Sequence, residues 1–199
     1  MPAGAGVAHH LGMLDPFPPV PPRVEIRPER PADPGDREAI RAIHLAAFPT
    51  RAEADLVDAL RASGEIRPAR SLLAEVGGAI VGHCLLTATS LERPDGTTVV
   101  GPVVALGPIA VLPAWQRRHV GTALMQAALE RCAADGAGAV VLVGSPTYYL
   151  RFGFGPAREV GLLPPARWPD EVWMARLLPA WTPVDVGVVR YADPFLAMP

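Results

Sequence analysis

Hydrophobic residues recur along this chain with two spacings, and the spacing separates predicted helices from predicted strands. In 52–62, Leu56, Val57 and Leu60 share one side of a helix, and charged residues occupy the other side. In 139–143, five consecutive apolar residues are typical of a strand that is buried on both faces. The same criteria predict further helices over 36–47 (capped by Asp36), 120–134 and 147–152, and strands over 24–27, 72–76, 79–90 and 103–112 and near 171–177 and 186–192.

The order of these elements predicts a mixed α/β (α+β) fold, in which a central mixed sheet is flanked by helices. Gly77-Gly78 is typical of a hairpin turn, so the strands on either side of it should run antiparallel. The later elements over 103–112, 120–134 and 139–143 form a strand–helix–strand unit, whose two strands should be parallel.

Length and composition predict one folded domain over 23–199, preceded by a weakly ordered tail over 1–22. The chain has 199 residues, of which 50% are hydrophobic, and this is enough for one well-buried core. The first 22 residues are rich in proline and carry little charge, a composition that favours extended chain. A homodimer and a monomer are both left open.

Charge and cysteine content exclude several classes of partner. The net charge of −2 offers no basic surface for nucleic acid or an anionic membrane, and no apolar run is long enough to span a bilayer, so a cytoplasmic protein is expected. All eighteen basic residues are arginine, which excludes a lysine Schiff base and a P-loop. Cys84 and Cys132 form no CxxC pair, and no metal site is predicted. The expected partner is a small molecule or a peptide.

The turn over 116–119 leads from an apolar strand directly into a helix. The first turn of a helix has unpaired N–H groups and the positive end of the helix dipole, and Arg117 and Arg118 stand beside it. This arrangement predicts a site for a phosphate-bearing ligand. The alternative is that both arginines are solvated surface residues.

Gly107-Pro108 interrupts the strand that precedes this turn. Proline removes a donor from the ladder, and glycine within a strand commonly marks a bulge or a close approach by another chain. If the ladder opens here, the backbone groups of Ile109 and Val111 are free to bond the two amides of a pantetheine arm, which would lead to phosphates at 116–122. The alternative is that the dipeptide marks an edge strand or a loop.

Two motifs in 116–154 follow one another with a distinctive spacing. Residues 116–121, Gln-Arg-Arg-His-Val-Gly, resemble the cofactor loop Gln/Arg-x-x-Gly-x-Gly/Ala of the GNAT superfamily of N-acetyltransferases, with His119 in place of the first glycine. Residues 149–154, Tyr-Leu-Arg-Phe-Gly-Phe, resemble that superfamily's Tyr-x-Lys/Arg-x-Gly-Phe segment. The Leu-Gly-Pro-Ile-Ala-Val strand and the Val-Arg-Tyr near the C-terminus are similar to its YhbS-like branch. The resemblance covers about residues 23–196.

The resemblance implies the GNAT fold, acetyl-CoA (coenzyme A) as cofactor and a set of binding residues. Tyr149 would be the general acid for the departing thiolate, and a backbone N–H near Ile109 or Ala110 would bind the thioester oxygen. The implied cofactor-binding residues are Ile109, Ala110, Val111, Gln116, Arg117, Arg118, His119, Val120, Gly121, Thr122 and Phe152.

The acceptor side is less defined. Glu53, on the second helix, is the candidate that would hold a cationic substrate or accept its proton through water, and His83 and His44 are alternatives. For each of these three the competing interpretation is a purely structural or solvated side chain. Trp168, Trp173 and Trp181 are candidates for one wall of the acceptor site, or else for core packing.

The predicted function is therefore N-acetyl transfer from acetyl-CoA to a primary amine by direct attack in a ternary complex. The alternative is a catalytically weak or inactive acyl-CoA-binding module on the same fold, which His119 and the lack of an evident base motivate. A serine hydrolase is excluded because Ser145 has no GxSxG elbow, and a dinucleotide-dependent oxidoreductase because no GxGxxG follows a strand.

Overall fold

A computed structural model of the chain describes residues 23–197. The tail predicted over 1–22 lies outside these residues. Within 23–197, a nine-stranded sheet is accompanied by five α-helices and several short 3-10 turns. The elements are β1 (Val24–Pro28), α1 (Pro34–Ala47), α2 (Ala52–Ala62), β2 (Ser71–Val76), β3 (Ala79–Glu92), β4 (Thr98–Val111), α3 (Val120–Ala134), β5 (Ala139–Val143), α4 (Pro146–Tyr149), β6 (Gly155–Pro156), β7 (Leu162–Leu163), β8 (Trp173–Leu177), β9 (Gly187–Arg190) and α5 (Asp193–Leu196).

The sheet is mixed, as the element order predicted. Its strands follow the order β1-β2-β3-β4-β5-β8-β6, and β9 pairs with β3 and β7. Strands β2 and β3 form the predicted antiparallel hairpin, with Gly77 and Gly78 both at positive φ in the turn. Strand β5 runs parallel to β4 after the α3 crossover, which confirms the strand–helix–strand unit.

Helices cover both faces of the sheet. Along β2, Leu72 contributes to the core beneath α3, and its neighbour Leu73 contributes to the core beneath α1 and α2. Leu86 and Leu85 on β3 divide in the same way. This alternation follows from the period-2 side-chain pattern of a strand, and it places α3 opposite α1 and α2.

The start of α1 differs from the prediction, which made Asp36 its cap. The cap is Asp33, whose carboxylate accepts a hydrogen bond from the backbone N–H of Gly35. Pro34 occupies the first helical position, where its fixed φ suits the helix and its missing N–H costs nothing. Asp36 is instead fully buried and accepts from the guanidinium groups of Arg27 and Arg30, which hold the pKa of that carboxyl well below its usual range.

The sheet opens in the middle of β4. Strand β5 pairs with β4 only from Val103 to Ala105. On the other side of β4, the register against β3 shifts between Leu106 and Ile109, so that Gly107 and Pro108 bulge opposite a single β3 residue. The end of β4 therefore diverges from β5 and leaves a cleft between the two strands.

A chain of hydrogen bonds runs through the buried layer beneath α1. Glu29 is paired with Arg61 (2.8 Å) and accepts from the Ser71 hydroxyl (2.5 Å). The Ser71 oxygen lies 3.0 Å from His83 Nε2, and His83 Nδ1 lies 2.8 Å from His44 Nε2. Because the Ser71 hydrogen is donated to Glu29, His83 Nε2 donates to Ser71 and His44 Nε2 donates to His83. His44 Nδ1 is then a buried lone pair without a partner among residues 23–197.

We expect these histidines to make the protein less stable as the pH falls. Both are fully buried, and burial lowers the pKa of His44 to about 4 and that of His83 well below its usual range. Below about pH 6.5 the unfolded chain binds protons that the folded chain does not, so stability that is present above this pH is lost on acidification. For His44 alone the loss is about 3 kcal/mol at pH 4.

Urea denaturation across this pH range measures the effect. His44→Gln keeps a donor towards His83 and removes the titrating group, so the slope of unfolding free energy against pH should flatten. An unchanged slope in this variant would show that other groups cause the acid sensitivity.

Candidate functional site

The cleft beside β4 holds a cavity of about 560 Å³ at the N-terminus of α3, which we call the helix-end cavity. Eight of the eleven residues predicted to bind the cofactor line it. Its walls are the end of β4, the turn before α3, the first turn of α3 and the segment after β5, formed by Ile109, Ala110, Val111, Gln116, Arg117, His119, Gly121, Thr122, Tyr148, Tyr149 and Arg151.

The helix-end cavity is electropositive. Arg117 and Arg151 line it, no acidic residue does, and within 23–197 neither guanidinium is paired with a carboxylate. The N–H groups of the first turn of α3 add to this field, because the first intrahelical bond is donated by Ala123 to the His119 carbonyl (3.0 Å). Charge and unpaired donors together make the cavity chemically suited to an anion.

The backbone of β4 turns a second set of donors and acceptors towards the cleft. Leu112 donates to the Val81 carbonyl on β3 (2.9 Å), so by the alternation of an antiparallel ladder the N–H groups of Ile109 and Val111 face away from β3. Ala110 faces β3 instead. The Val111 carbonyl already accepts from Gln116 Nε2 (3.1 Å). Of the two candidate oxyanion donors, the one that faces the cleft is thus Ile109.

Three of the predicted cofactor residues lie outside the helix-end cavity. The Arg118 guanidinium packs over the Trp115 ring, 5.3 Å from its centroid. The side chains of Val120 and Phe152 are buried in the core beneath α3, which leaves Val120 only its N–H to offer.

Sequence reasoning missed two residues that do line the cavity. They are Tyr148 and Arg151, and the Arg151 guanidinium lies 4.1 Å from the centroid of the Tyr148 ring. Arg151 occupies the Lys/Arg position of the second motif, so the signal for it was present in the sequence.

The turn before α3 is held in a left-handed conformation by two residues that are not glycine. His119, the cap of α3, has φ 65°, and Arg117 has φ 59°. The turn that the sequence motif normally builds with glycine is therefore kept here at a conformational cost. Histidine tolerates this region better than β-branched residues do.

We expect His119→Gly to bind coenzyme A within about threefold of the parent affinity, because backbone N–H groups rather than the imidazole bind the anion. Its free energy of unfolding should stay within about 1 kcal/mol, since relief of strain offsets the added chain entropy. His119→Val should lose about 2 kcal/mol at the same position. Calorimetry and chemical denaturation measure both quantities. A large loss of affinity in His119→Gly would mean that the imidazole itself is a ligand.

A second cavity of about 660 Å³, which we call the aromatic cavity, lies on the other side of the β4 bulge. Aromatic and aliphatic side chains form most of its wall, and Glu53 is the one charged residue among them. The lining residues are Phe48, Glu53, Leu56, Leu106, Gly107, Pro108, Ile109, Val143, Gly144, Ser145, Tyr148, Tyr149, Trp168, Tyr191 and Phe195.

Glu53 is the candidate acceptor-side residue that the fold brings to this cavity. Its Oε2 atom is buried and has no hydrogen-bond partner among residues 23–197. His44 and His83 line neither cavity, because both lie in the buried layer beneath α1 and take part in its hydrogen-bond chain. Their structural interpretation is the one that agrees with these positions.

The three tryptophans do not act as a group. Trp168 lines the aromatic cavity, whereas Trp173 is fully buried in the core and donates through Nε1 to the Leu162 carbonyl (2.9 Å). Trp181 packs against the same core. Of the two alternatives, a wall of the acceptor site agrees with the position of Trp168, and core packing agrees with the positions of Trp173 and Trp181.

The two cavities meet at Ile109, Tyr148 and Tyr149, which line both. The Tyr148 hydroxyl points to the first turn of α3, since a Cβ placed on Gly121 would lie 2.8 Å from it. The Tyr149 ring packs instead against Gly144, at the end of β5. Burial raises the pKa of Tyr149 above its usual value, so its phenol is protonated at neutral pH.

Two further properties of the described residues bear on the chemistry. No group of three or more His, Cys, Asp or Glu side chains within 23–197 is arranged to hold a metal ion. Over the same residues, every helix is too short or too polar to cross a membrane.

Comparison with known proteins agrees with this geometry. Residues 29–157 match the family described as "Acetyltransferase (GNAT) domain". The chain is 36% identical over 166 residues to the uncharacterized N-acetyltransferase YjhQ of Escherichia coli K12, covering 81% of this chain and 90% of that protein.

Two solved structures share the fold over most of the chain. The E. coli GNAT N-acetyltransferase YhbS, in complex with CoA, superposes with a TM-score of 0.79 at 26% identity and covers 92% of this chain and 97% of its own. A GNAT acetyltransferase from Brucella melitensis, in complex with acetyl-CoA, gives 0.67 at 29% identity over 87% of this chain and 98% of its own. The chain therefore belongs to the GNAT family of acetyltransferases, enzymes that take their acyl group from acetyl-CoA.

Proposed function

We propose that the protein is an N-acetyltransferase that moves an acetyl group from acetyl-CoA to a primary amine by direct attack within a ternary complex. One observation carries the proposal. An electropositive cavity and an apolar cavity with a single carboxylate share three residues, so an anionic donor and a cationic acceptor can meet there without either leaving its own site.

Coenzyme A suits the helix-end cavity in charge and in hydrogen bonding. Arg117, Arg151 and the N–H groups of 119–122 would hold its phosphates, at roughly 1.5–3 kcal/mol for each charge-assisted bond. The cleft-facing carbonyl of Ile109 and N–H of Val111 would bind the amides of its pantetheine arm, as a neighbouring strand would. Bound acetyl-CoA supplies an acyl group activated as a thioester.

The residues at the junction of the cavities have the chemistry that acyl transfer requires. The Ile109 N–H faces the cleft and can stabilise negative charge that develops on the carbonyl oxygen. An ammonium acceptor must first lose a proton, which Glu53 would accept through water, so that the free amine attacks the thioester carbonyl. The Tyr149 phenol can then give its proton to the sulfur as the carbon–sulfur bond breaks, and the second proton lost by the nitrogen restores the phenol.

Direct attack is favoured over a covalent acyl-enzyme. Cys84 and Cys132 are buried, line neither cavity and have pKa values raised by burial, to about 12 for Cys132. Ser145 lines the aromatic cavity, but no histidine within 23–197 lies in hydrogen-bond contact with it to act as a base.

Initial-rate kinetics test the proposal, with thiol release from acetyl-CoA followed while a panel of primary amines is varied. We expect release to depend on the amine, an N-acetylated product to form, and the double-reciprocal lines to intersect. Parallel lines with an isolable acetylated enzyme would overturn direct attack. Tight binding of CoA without turnover of any amine or peptide would identify a binding module instead.

A further inference from the structure

We infer that the acceptor is a small hydrophobic monoamine: one ammonium group on an aromatic or bulky apolar body that carries no negative charge. The inference rests on the proposed N-acetyl transfer and names the substrate class for the same site. It is carried by the shape, lining and charge of the aromatic cavity.

The wall of the aromatic cavity calls for an apolar body. Six aromatic side chains face it, namely Phe48, Tyr148, Tyr149, Trp168, Tyr191 and Phe195. Trp168 and Tyr191 lie edge to face at 5.7 Å between ring centroids, and Tyr191 and Phe195 at 4.9 Å, so three of these rings brace one another. An aromatic wall of this kind stabilises a ligand mainly through burial of apolar surface.

The single carboxylate of the cavity favours a substrate with one ammonium group. Glu53 lines the cavity, and its Oε2 atom is buried without a partner among residues 23–197, so this carboxylate lacks donors that would offset its desolvation. An ammonium group in the cavity would pair with the carboxylate. Glu53 is the one charged residue in the wall, so a second amine on the substrate would find no second carboxylate.

The same lining disfavours an acceptor with its own carboxylate. No arginine lines the aromatic cavity, and Arg117 and Arg151 line only the helix-end cavity, where the cofactor phosphates would engage them. A carboxylate placed beside the reacting amine, as in a free amino acid, would face Glu53 and lack a counter-ion. Amino acids, polyamines and amino sugars should therefore be poor substrates.

A matched set of amines tests the inference with the purified full chain and acetyl-CoA. The kcat/KM for phenethylamine should exceed that for ethanolamine by about 100-fold, because the phenyl ring is buried. The kcat/KM for phenylalanine should be at least about 30-fold lower than that for phenethylamine, and the methyl ester of phenylalanine should recover most of the lost kcat/KM. Spermidine should rank with ethanolamine.

Two variants locate the effect in the aromatic cavity. Glu53→Gln should raise KM for phenethylamine about tenfold and leave the affinity for CoA unchanged, whereas Glu38→Gln, on the exposed face of α1, should change neither. Trp168→Ala should shrink the preference for phenethylamine over ethanolamine about tenfold.

The possible failures are distinguishable. Efficient acetylation of ethanolamine, spermidine or phenylalanine in preference to phenethylamine overturns the substrate class and leaves acetyl transfer standing. Equal turnover of phenylalanine and its methyl ester overturns the role assigned to charge. If CoA binds but no amine is acetylated, the proposed function fails. Calorimetry of phenethylamine with the CoA complex then tests the substrate class separately, and an absence of binding would overturn that inference as well.

Discussion

Replacing Tyr149 by phenylalanine is expected to lower kcat by about 100- to 10,000-fold, the range that loss of a general acid produces. The substitution removes one hydroxyl and keeps the ring that packs at the T-shaped contacts with Tyr148 and Phe154. The fold and the affinity for CoA should therefore survive. Stopped-flow measurement of thiol release and calorimetry of CoA binding report the two quantities separately.

The neighbouring phenol provides the discriminating comparison. Tyr148 lines both cavities as Tyr149 does, but its hydroxyl points towards the first turn of α3, so Tyr148→Phe should act mainly on KM for acetyl-CoA. A larger fall in kcat for Tyr148→Phe than for Tyr149→Phe would reverse the assignment. Since burial raises the pKa of Tyr149, the parent kcat should show no loss from phenol ionisation below about pH 10.

Gly144→Ala is expected to lower kcat by about 100-fold or more although it removes no reacting group. A Cβ at this position would lie 3.0 Å from Tyr149 Cδ2 and 3.2 Å from Cζ, and still closer to Cε2. The ring must move, and a displacement of about 1 Å in a catalytic group costs this order of rate. The free energy of unfolding should fall by about 1–3 kcal/mol from the crowding.

Gly155→Ala is the matched control, because no atom lies within 4 Å of the Cβ it would add. It should leave both kcat and stability near the parent values. If Gly144→Ala has full activity with an intact fold, the position of the Tyr149 ring does not matter to the reaction. In the double variant Gly144→Ala with Tyr149→Phe, the fold reduction in kcat should be smaller than the product of the two single reductions, because both substitutions act on the same proton transfer.

Most of the fold could be predicted from the sequence, since its strongest signals are local. Helices α2 and α3 have the predicted bounds. In each, the run of apolar residues at helical spacing stops just before the C-cap, which is Ser63 in α2 and Asp135 in α3. The start of α1 could not be fixed in this way. Asp33 and Asp36 are both acceptable caps by sequence, and only the arrival of Arg27 and Arg30 at Asp36 decides between them.

The helix-end cavity was largely predictable for the same reason. Most of its residues come from one continuous stretch, from the bulge in β4 to the first turn of α3, so sequence spacing alone sets their geometry. Side-chain direction was not predictable. Val120 and Phe152 sit in the motifs and point into the core, and Arg151 turns onto the Tyr148 ring and into the cavity.

The aromatic cavity was decided by tertiary structure. Its wall draws on α2, β4, β5, α4, α5 and the segments that flank them, which are far apart in sequence and meet only when the sheet opens after Ala105. The sequence by itself determined that a bulged strand runs into a helix whose first turn has unpaired N–H groups beside an arginine, because both features depend on neighbouring residues. Only the tertiary structure decided that Glu53 Oε2 has no partner among residues 23–197 and that His44 and His83 bond to each other in the buried hydrogen-bond chain. It also decided that Trp168, and neither of the other two tryptophans, lines the aromatic cavity. The physical reason is that burial and pairing depend on residues that no local sequence pattern brings together.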